Sequence, residues 1–170
     1  MASRVEAVEG WRTVKLWIVA VGRPGRLLAD AIAEYERRAQ RYWSIEVVEV
    51  REEKAGKGRT PEQVKAAEAK RLQPVPAGVE IVALTRKGEA WSSTRLARYL
   101  EALAVQGRAG AAFLIGGAWG LAEDLLARAS HRLSLSSLTL PHELARLVLA
   151  EQLYRAGTIL RGEPYHKATD

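Results

Sequence analysis

Short apolar runs alternate along the chain with segments whose apolar residues recur at helical spacing. Four of these runs predict buried strands, at 14–22, 44–50, 79–85 and 111–117. Apolar residues three or four positions apart predict helices at 25–43, 61–72, 91–107 and 121–130. Strands that alternate with helices predict an α/β fold, with a mostly parallel sheet and helices on both of its faces.

The segment LSLSSLTL, residues 133–140, fits neither pattern. It combines leucines with four hydroxyl side chains, which makes it too apolar for a connector and too polar for a buried strand. The helix after Pro141 is apolar on almost every side, at Leu144, Leu147, Val148, Leu149, Leu153, Ile159 and Leu160. Such a helix either lies at the centre of a monomer or packs one face on its own sheet and another on a second subunit.

The amino-acid composition suggests one class of binding partner and excludes sites that need cysteine. The chain has 170 residues and no cysteine, which excludes disulfides and thiolate metal sites and is compatible with a reducing cytosol. No segment has the pattern of a signal peptide or of a membrane span. The net charge of +6 suits a polyanionic partner such as nucleic acid, although charge alone does not separate this from an ordinary basic protein.

Glycines follow the fourth predicted strand, at the sheet edge where parallel α/β folds bind ligands. Gly116, Gly117 and Gly120 do not match the dinucleotide fingerprint, and no Gly-Lys-Ser/Thr of a P-loop follows them. Taken alone, these glycines more often mark a turn than a ligand loop.

The three histidines do not predict a metal site, because no two of them have metal-ligand spacing on one element. We expect His131 to be a structural residue at a helix end. His142 begins the last helix and could face a cleft, and His166 lies in the C-terminal tail.

Three motifs in this order resemble the RlmH family, a group of SPOUT-class methyltransferases. They are FLIGGAWG, LSLSSLTLPHELARLVLAEQLYRA and RGEPYHK, and the resemblance extends from about Val14 to Lys167. It implies a SPOUT-type sheet with a C-terminal trefoil knot, S-adenosylmethionine as cofactor, and a homodimer. It further implies a cytoplasmic enzyme that methylates N3 of a pseudouridine in helix 69 of 23S rRNA, on assembled ribosomes.

The resemblance also implies residue roles. Cofactor contacts would come from Leu84, Gly116, Leu135, Ser136, Ser137, Leu138, Thr139 and Leu140. Arg155, Tyr165 and His166 would be catalytic: the arginine stabilises a developing anion, the tyrosine orients the base, and the histidine assists proton removal. His142 and Arg146 are secondary candidates. The reaction needs no metal, since the sulfonium supplies its own leaving group.

Basic side chains are the candidates for RNA contact. They are Arg37, Arg38, Arg41, Lys54, Lys57, Arg59, Arg86, Lys87 and Lys167. Trp119 departs from the family pattern, which has a small or polar residue at this position. Residues 1–13 precede the resemblance and are expected to be a disordered extension or an artefact of the assigned start, while 14–170 are expected to form a single domain.

Two other classes of function compete with this interpretation. A non-catalytic RNA- or ribosome-binding module could have the same fold, and it would show no heat of binding with S-adenosylmethionine. A nicotinamide-dependent oxidoreductase is disfavoured, because the dinucleotide fingerprint is absent.

Overall fold

The computed structural model describes residues 14–56, 58–73 and 75–166, except for the side chain of His166. These residues form five strands, β1 (Lys15–Val21), β2 (Ser44–Val50), β3 (Glu80–Ala90), β4 (Gly110–Ile115) and β5 (His131–Ser134). The α-helices are α1 (Arg26–Ala39), α2 (Pro61–Leu72), α3 (Ser93–Val105), α4 (Glu123–Arg128) and α5 (His142–Arg161), and a 3₁₀ turn follows at Pro164–His166. In these ranges, no helix is both long enough and apolar enough to cross a membrane. The predicted extension 1–13 lies outside the described residues.

The strands form one sheet in the order β2-β1-β4-β3-β5, and every neighbouring pair is parallel. This confirms the predicted parallel α/β architecture. The predicted placement of His131 at a helix end was wrong, because this residue begins β5. Its ring packs against Trp91 and Tyr99, as expected of a structural residue. The strand was missed because it has only four residues and a single apolar one, Leu133, which gives no strand period.

Alternate residues of the central strands pack against helices on opposite faces of the sheet. On β1, Leu16 and Ile18 belong to one apolar cluster, which also contains residues of α1, α3 and α5. Trp17 and Val19 belong to a second cluster, which contains residues of α2 and α4. Successive strand side chains point to opposite faces, so both faces of β1 are buried and the run is apolar from Leu16 to Val21.

Strand β3 is interrupted just where it passes β5. Leu84 and Glu89 both register with Leu133, so the four residues between them leave the ladder. A Cβ on Gly88 would lie 2.6 Å from the backbone of Arg132, and this close approach requires glycine. The bulge lets β3 run to Ala90, beyond the predicted end at Thr85, and it turns Thr85, Arg86 and Lys87 out of the sheet.

Helix α5 is joined to α1 and β2 by a buried ion pair. The Nε of Arg146 donates to Glu36 at 2.8 Å, and its Nη1 donates to Glu49 at 2.7 Å. The Arg146 side chain is only 6% exposed. Trp43 adds a hydrogen bond from its indole nitrogen to the Leu153 carbonyl at 2.8 Å. Arg146 thus has a structural role, and its carboxylate partners lie on elements other than its own.

Replacing Arg146 should therefore destabilise the fold strongly. In Arg146→Ala, the carboxylate of Glu36 would remain buried without its partner, and a loss of about 3–5 kcal/mol in the free energy of unfolding is expected. Chemical denaturation at neutral pH measures it. Arg37→Ala is the control, because Arg37 pairs with Glu34 on the surface and its loss should change stability little. Equal effects of the two substitutions would contradict this role.

Candidate active site

A cavity of about 430 Å³ opens at the carboxyl ends of β3, β4 and β5. Its walls come from the β3 bulge, the turn after β4, the segment after β5 and the first turn of α5. The volume lies within the range of small-molecule sites, and the position is the usual one for ligands of parallel α/β sheets.

Most of the residues predicted to bind cofactor line this one cavity. They are Leu84, Gly116, Leu135, Ser136, Leu138, Thr139 and Leu140. Ser137 is exposed and is not part of the wall. Three segments that are distant in sequence therefore meet at one site, while the role of each residue in binding stays a prediction.

Three glycines of the turn after β4 line the cavity, and at these positions only backbone faces it. The Gly120 amide donates to the Gly117 carbonyl at 3.0 Å, and Gly120 has φ +78°. A Cβ on Gly116 would lie 2.6 Å from the carbonyl carbon of Gly120. Glycine is therefore required at Gly116 by a close approach and at Gly120 by a positive φ.

Hydroxyl side chains shape the segment after β5. The Ser134 hydroxyl donates to the Ser136 carbonyl at 2.9 Å, and the Leu138 amide donates to the Ser136 hydroxyl at 2.9 Å. These bonds satisfy backbone groups that no sheet or helix pairs. Leu138 is left 72% exposed at the cavity.

Sequence reasoning missed several charged residues at or behind the cavity wall. Lys65 and Glu123 line it, and so does His142, which was only a secondary candidate. Glu68 lies behind the glycine turn: a Cβ on Gly117 would be 2.9 Å from both of its carboxylate oxygens. The sequence did contain a signal for Glu68. Its spacing of four residues from Val64 and from Leu72 places a carboxylate on the apolar face of α2.

The Glu68 carboxylate is buried with few partners. It is 2% exposed, and it accepts a hydrogen bond from the Glu53 amide at 3.1 Å. Burial raises the pKa of Glu68, against the lowering effect of that hydrogen bond, and the charge of Glu52 raises the pKa further. The folded protein thus disfavours the ionised form of Glu68 relative to the neutral form.

The predicted catalytic residues lie elsewhere on the subunit. Glu151 holds two of them together: it accepts from Arg155 Nη2 at 2.6 Å and from the Tyr165 hydroxyl at 3.0 Å. The Arg155 guanidinium also lies over the Tyr165 ring, 5.0 Å from its centroid. His166 belongs to the terminal 3₁₀ turn, and its side chain lies outside the described residues.

Neither Arg155 nor Tyr165 lines the cavity. Ala145 is the last residue of α5 that does so, and Arg155 follows it by ten residues, which is about 15 Å along a helix. Arg155 is cationic at neutral pH like any arginine, and its hydrogen bond to Glu151 raises its pKa further. Across the described part of the chain, no three acidic or histidine side chains are grouped so that they could hold a metal ion.

Comparison with known proteins defines the family. The family described as "Predicted SPOUT methyltransferase" matches residues 14–166. A protein of Gemmatimonas aurantiaca named "Ribosomal RNA large subunit methyltransferase H" is 47% identical over 156 residues, which is 91% of this chain and 100% of the relative. A protein of the same name from Rubrobacter xylanophilus is 48% identical over 151 residues, covering 88% of this chain and 96% of the relative.

The fold has a counterpart among solved structures. The crystal structure of a probable methyltransferase from Bordetella pertussis Tohama I covers 90% of this chain and 99% of its own, with a TM-score of 0.53 and 15% sequence identity. This similarity concerns the fold alone. The sequence matches show that the chain belongs to the SPOUT methyltransferase family, in the RlmH group to which its motifs pointed.

The buried carboxyl of Glu68 should affect stability in a pH-dependent way. A folded-state pKa above the unfolded value means that the protein loses stability as pH rises through that pKa. Glu68→Gln should therefore gain most over the parent at neutral pH, and the gain should shrink in acid, where both side chains are neutral. Urea denaturation of both proteins at several pH values measures the difference. A gain independent of pH, or one largest in acid, would contradict the assignment.

Proposed function

We propose that the chain uses S-adenosylmethionine to methylate N3 of a pseudouridine in helix 69 of 23S rRNA, on assembled ribosomes. The observation that carries the proposal is the single cavity at which the glycine motif and the LSLSSLTL motif meet. The relatives are named as methyltransferases of large-subunit ribosomal RNA, and this supports the substrate class.

The cavity suits S-adenosylmethionine in size and in chemistry. Its leucines offer apolar contact for an adenine ring, while the glycine turn and the 135–140 segment offer backbone groups. Leu84, Gly116 and residues 135–140 would hold the cofactor. When bound, it supplies a methyl group on a sulfonium, a leaving group that needs no metal.

We also infer that the C-terminal part of the chain is threaded into a trefoil knot. The support is the path of the chain. After β5 pairs with the outer edge of β3, residues 135–140 come back beside the β3 bulge and the glycine turn, and they lead into α5 against α1. Residues 14–170 would then form a single domain that the knot holds together.

The N3 atom of pseudouridine carries a proton at neutral pH, so the enzyme must favour its loss. Arg155 has the charge to stabilise the anion that develops on the flanking carbonyl oxygens. His166 would accept the proton, and Tyr165 would orient the base. Glu151 has a positioning role, because it fixes both Arg155 and Tyr165.

The separation of these residues from the cavity supports a homodimer. A catalytic group must come within about 3 Å of the reacting atoms, whereas Arg155 begins about 15 Å along α5 from the cavity wall. A second copy can close this gap if its tail reaches the cavity of the first. We infer that each active site combines the cavity of one subunit with Arg155, Tyr165 and His166 of its partner.

The RNA-facing surface would lie around the cavity mouth. Arg86 and Lys87 are exposed on the β3 bulge and line the cavity together with Lys65. Other candidates are engaged in ion pairs: Arg37 and Arg38 with Glu34, and Arg59 with Glu53. Lys57 and Lys167 lie outside the described residues. Because its substrate is the ribosome, we expect the enzyme to act in the cytoplasm.

Methylation of ribosomes tests the proposal directly. Ribosomes from a strain that lacks the endogenous modification are incubated with the protein and labelled S-adenosylmethionine, and the nucleosides are then analysed by mass. We expect 3-methylpseudouridine from helix 69. A ribosome-binding protein that transfers no methyl group would support the non-catalytic alternative instead.

The shared active site predicts complementation between two inactive variants. Thr139→Trp should block the cavity, and a chain that ends at Glu163 lacks Tyr165 and His166. After subunit exchange, roughly a quarter of parental methylation should return, since half of the dimers are mixed and each mixed dimer has one intact site. No recovery, with mixed dimers shown by mass, would contradict an active site shared between subunits.

A further inference from the structure

We propose that Trp119 is a stacking platform for an RNA base at the mouth of the methyl-transfer cavity. The inference rests on the proposed function and adds a substrate contact to it. Trp119 is 52% exposed, whereas Trp17 and Trp43 are 8% and 2% exposed. The Trp119 indole is exposed to solvent although the fold has two apolar clusters that could bury it. This exposure suggests that the side chain contacts a binding partner.

The turn that carries Trp119 is well defined. Gly117 and Gly120 form an isolated antiparallel bridge, and the Gly120 amide donates to the Gly117 carbonyl at 3.0 Å. The indole therefore projects from the tip of a hydrogen-bonded turn whose backbone also walls the cavity. Such a turn lets an aromatic side chain receive a partner at little entropic cost, since only two side-chain torsions remain free.

The surroundings favour a nucleic-acid base over a protein side chain. Leu138, another exposed apolar residue, lines the same cavity. Three cationic side chains line it as well: Lys65, Arg86 and Lys87. Aromatic and apolar surface beside several cations is the combination that binds unpaired nucleotides, because bases stack while phosphates pair with charge. The net charge of +6 agrees with a polyanionic partner.

Stacking explains the position of the tryptophan next to the reaction site. Methylation at a ring nitrogen requires that the target base leave its own stack, and this exposes faces of that base and of its neighbours. An indole at the cavity mouth can cover one such face. It would lower the cost of presenting the target nucleotide to the cavity without taking part in the chemistry.

The test compares Trp119→Ala and Trp119→Phe with the parent, and Val105→Ala is the control. Val105 is 80% exposed and does not line the cavity. We expect Trp119→Ala to raise KM for unmethylated ribosomes roughly 5- to 150-fold, the range that one lost base stack implies. Trp119→Phe should recover most of this loss, and Val105→Ala should behave as the parent does.

Two further measurements separate stacking from other roles. Calorimetry with S-adenosylmethionine and sedimentation of the dimer should give the same results for Trp119→Ala as for the parent. The proposal is overturned by an unchanged KM, by weaker cofactor binding that accounts for the loss, or by dissociation to monomers. If the parent does not methylate ribosomes, the proposed function fails by itself. Ribosome binding by the same variants, measured by filtration, then tests stacking by itself: weaker binding by Trp119→Ala supports it, and unchanged binding contradicts it.

Discussion

The parallel pairing of β5 with the outer edge of β3 is the constraint on which the site depends. Only four residues of β5 take part, and β3 loops out around Leu133 to continue past it. Because of this pairing, the segment after β5 starts beside the ends of β3 and β4 and not at a distant edge. The bulge, the glycine turn and residues 135–140 then enclose one volume. A β5 strand paired anywhere else would separate these three walls.

Among the described residues, the fold buries three ionisable side chains, Glu36, Glu68 and Arg146, and they differ in how well they are satisfied. Arg146 has two carboxylate partners on α1 and β2, so its burial joins three elements. Glu68 has one hydrogen bond from Glu53 and a pKa raised mainly by burial. Because the Glu68 carboxylate lies directly behind Gly117, a side chain at position 117 would have to displace it. The buried Glu68 side chain thus constrains which residue can occupy position 117 in the cavity wall.

The sequence was sufficient to predict the strands and helices whose apolar residues follow a regular pattern. Strand β1 is apolar from Leu16 to Val21 because both of its faces are buried, and the four predicted strands are all present. The cavity residues were predicted by resemblance, and all but Ser137 line one cavity. Strand β5 and the β3 bulge could not be predicted, because four residues give no period and a bulge depends on its partner strand. The sequence could not show how far Arg155 lies from the cavity, because that distance depends on the folded structure. This separation is what supports the proposed homodimer.

The central claim is that this cavity binds the methyl donor, and calorimetry with S-adenosylmethionine tests it most directly. Three proteins are titrated: the parent, Gly116→Val and Gly56→Val. Gly56 is exposed, and a Cβ there would meet nothing within 4 Å, so it serves as the matched control. The account predicts one binding site per chain in the parent and in Gly56→Val, and no binding by Gly116→Val with its circular dichroism unchanged. Equal binding by all three proteins would contradict it.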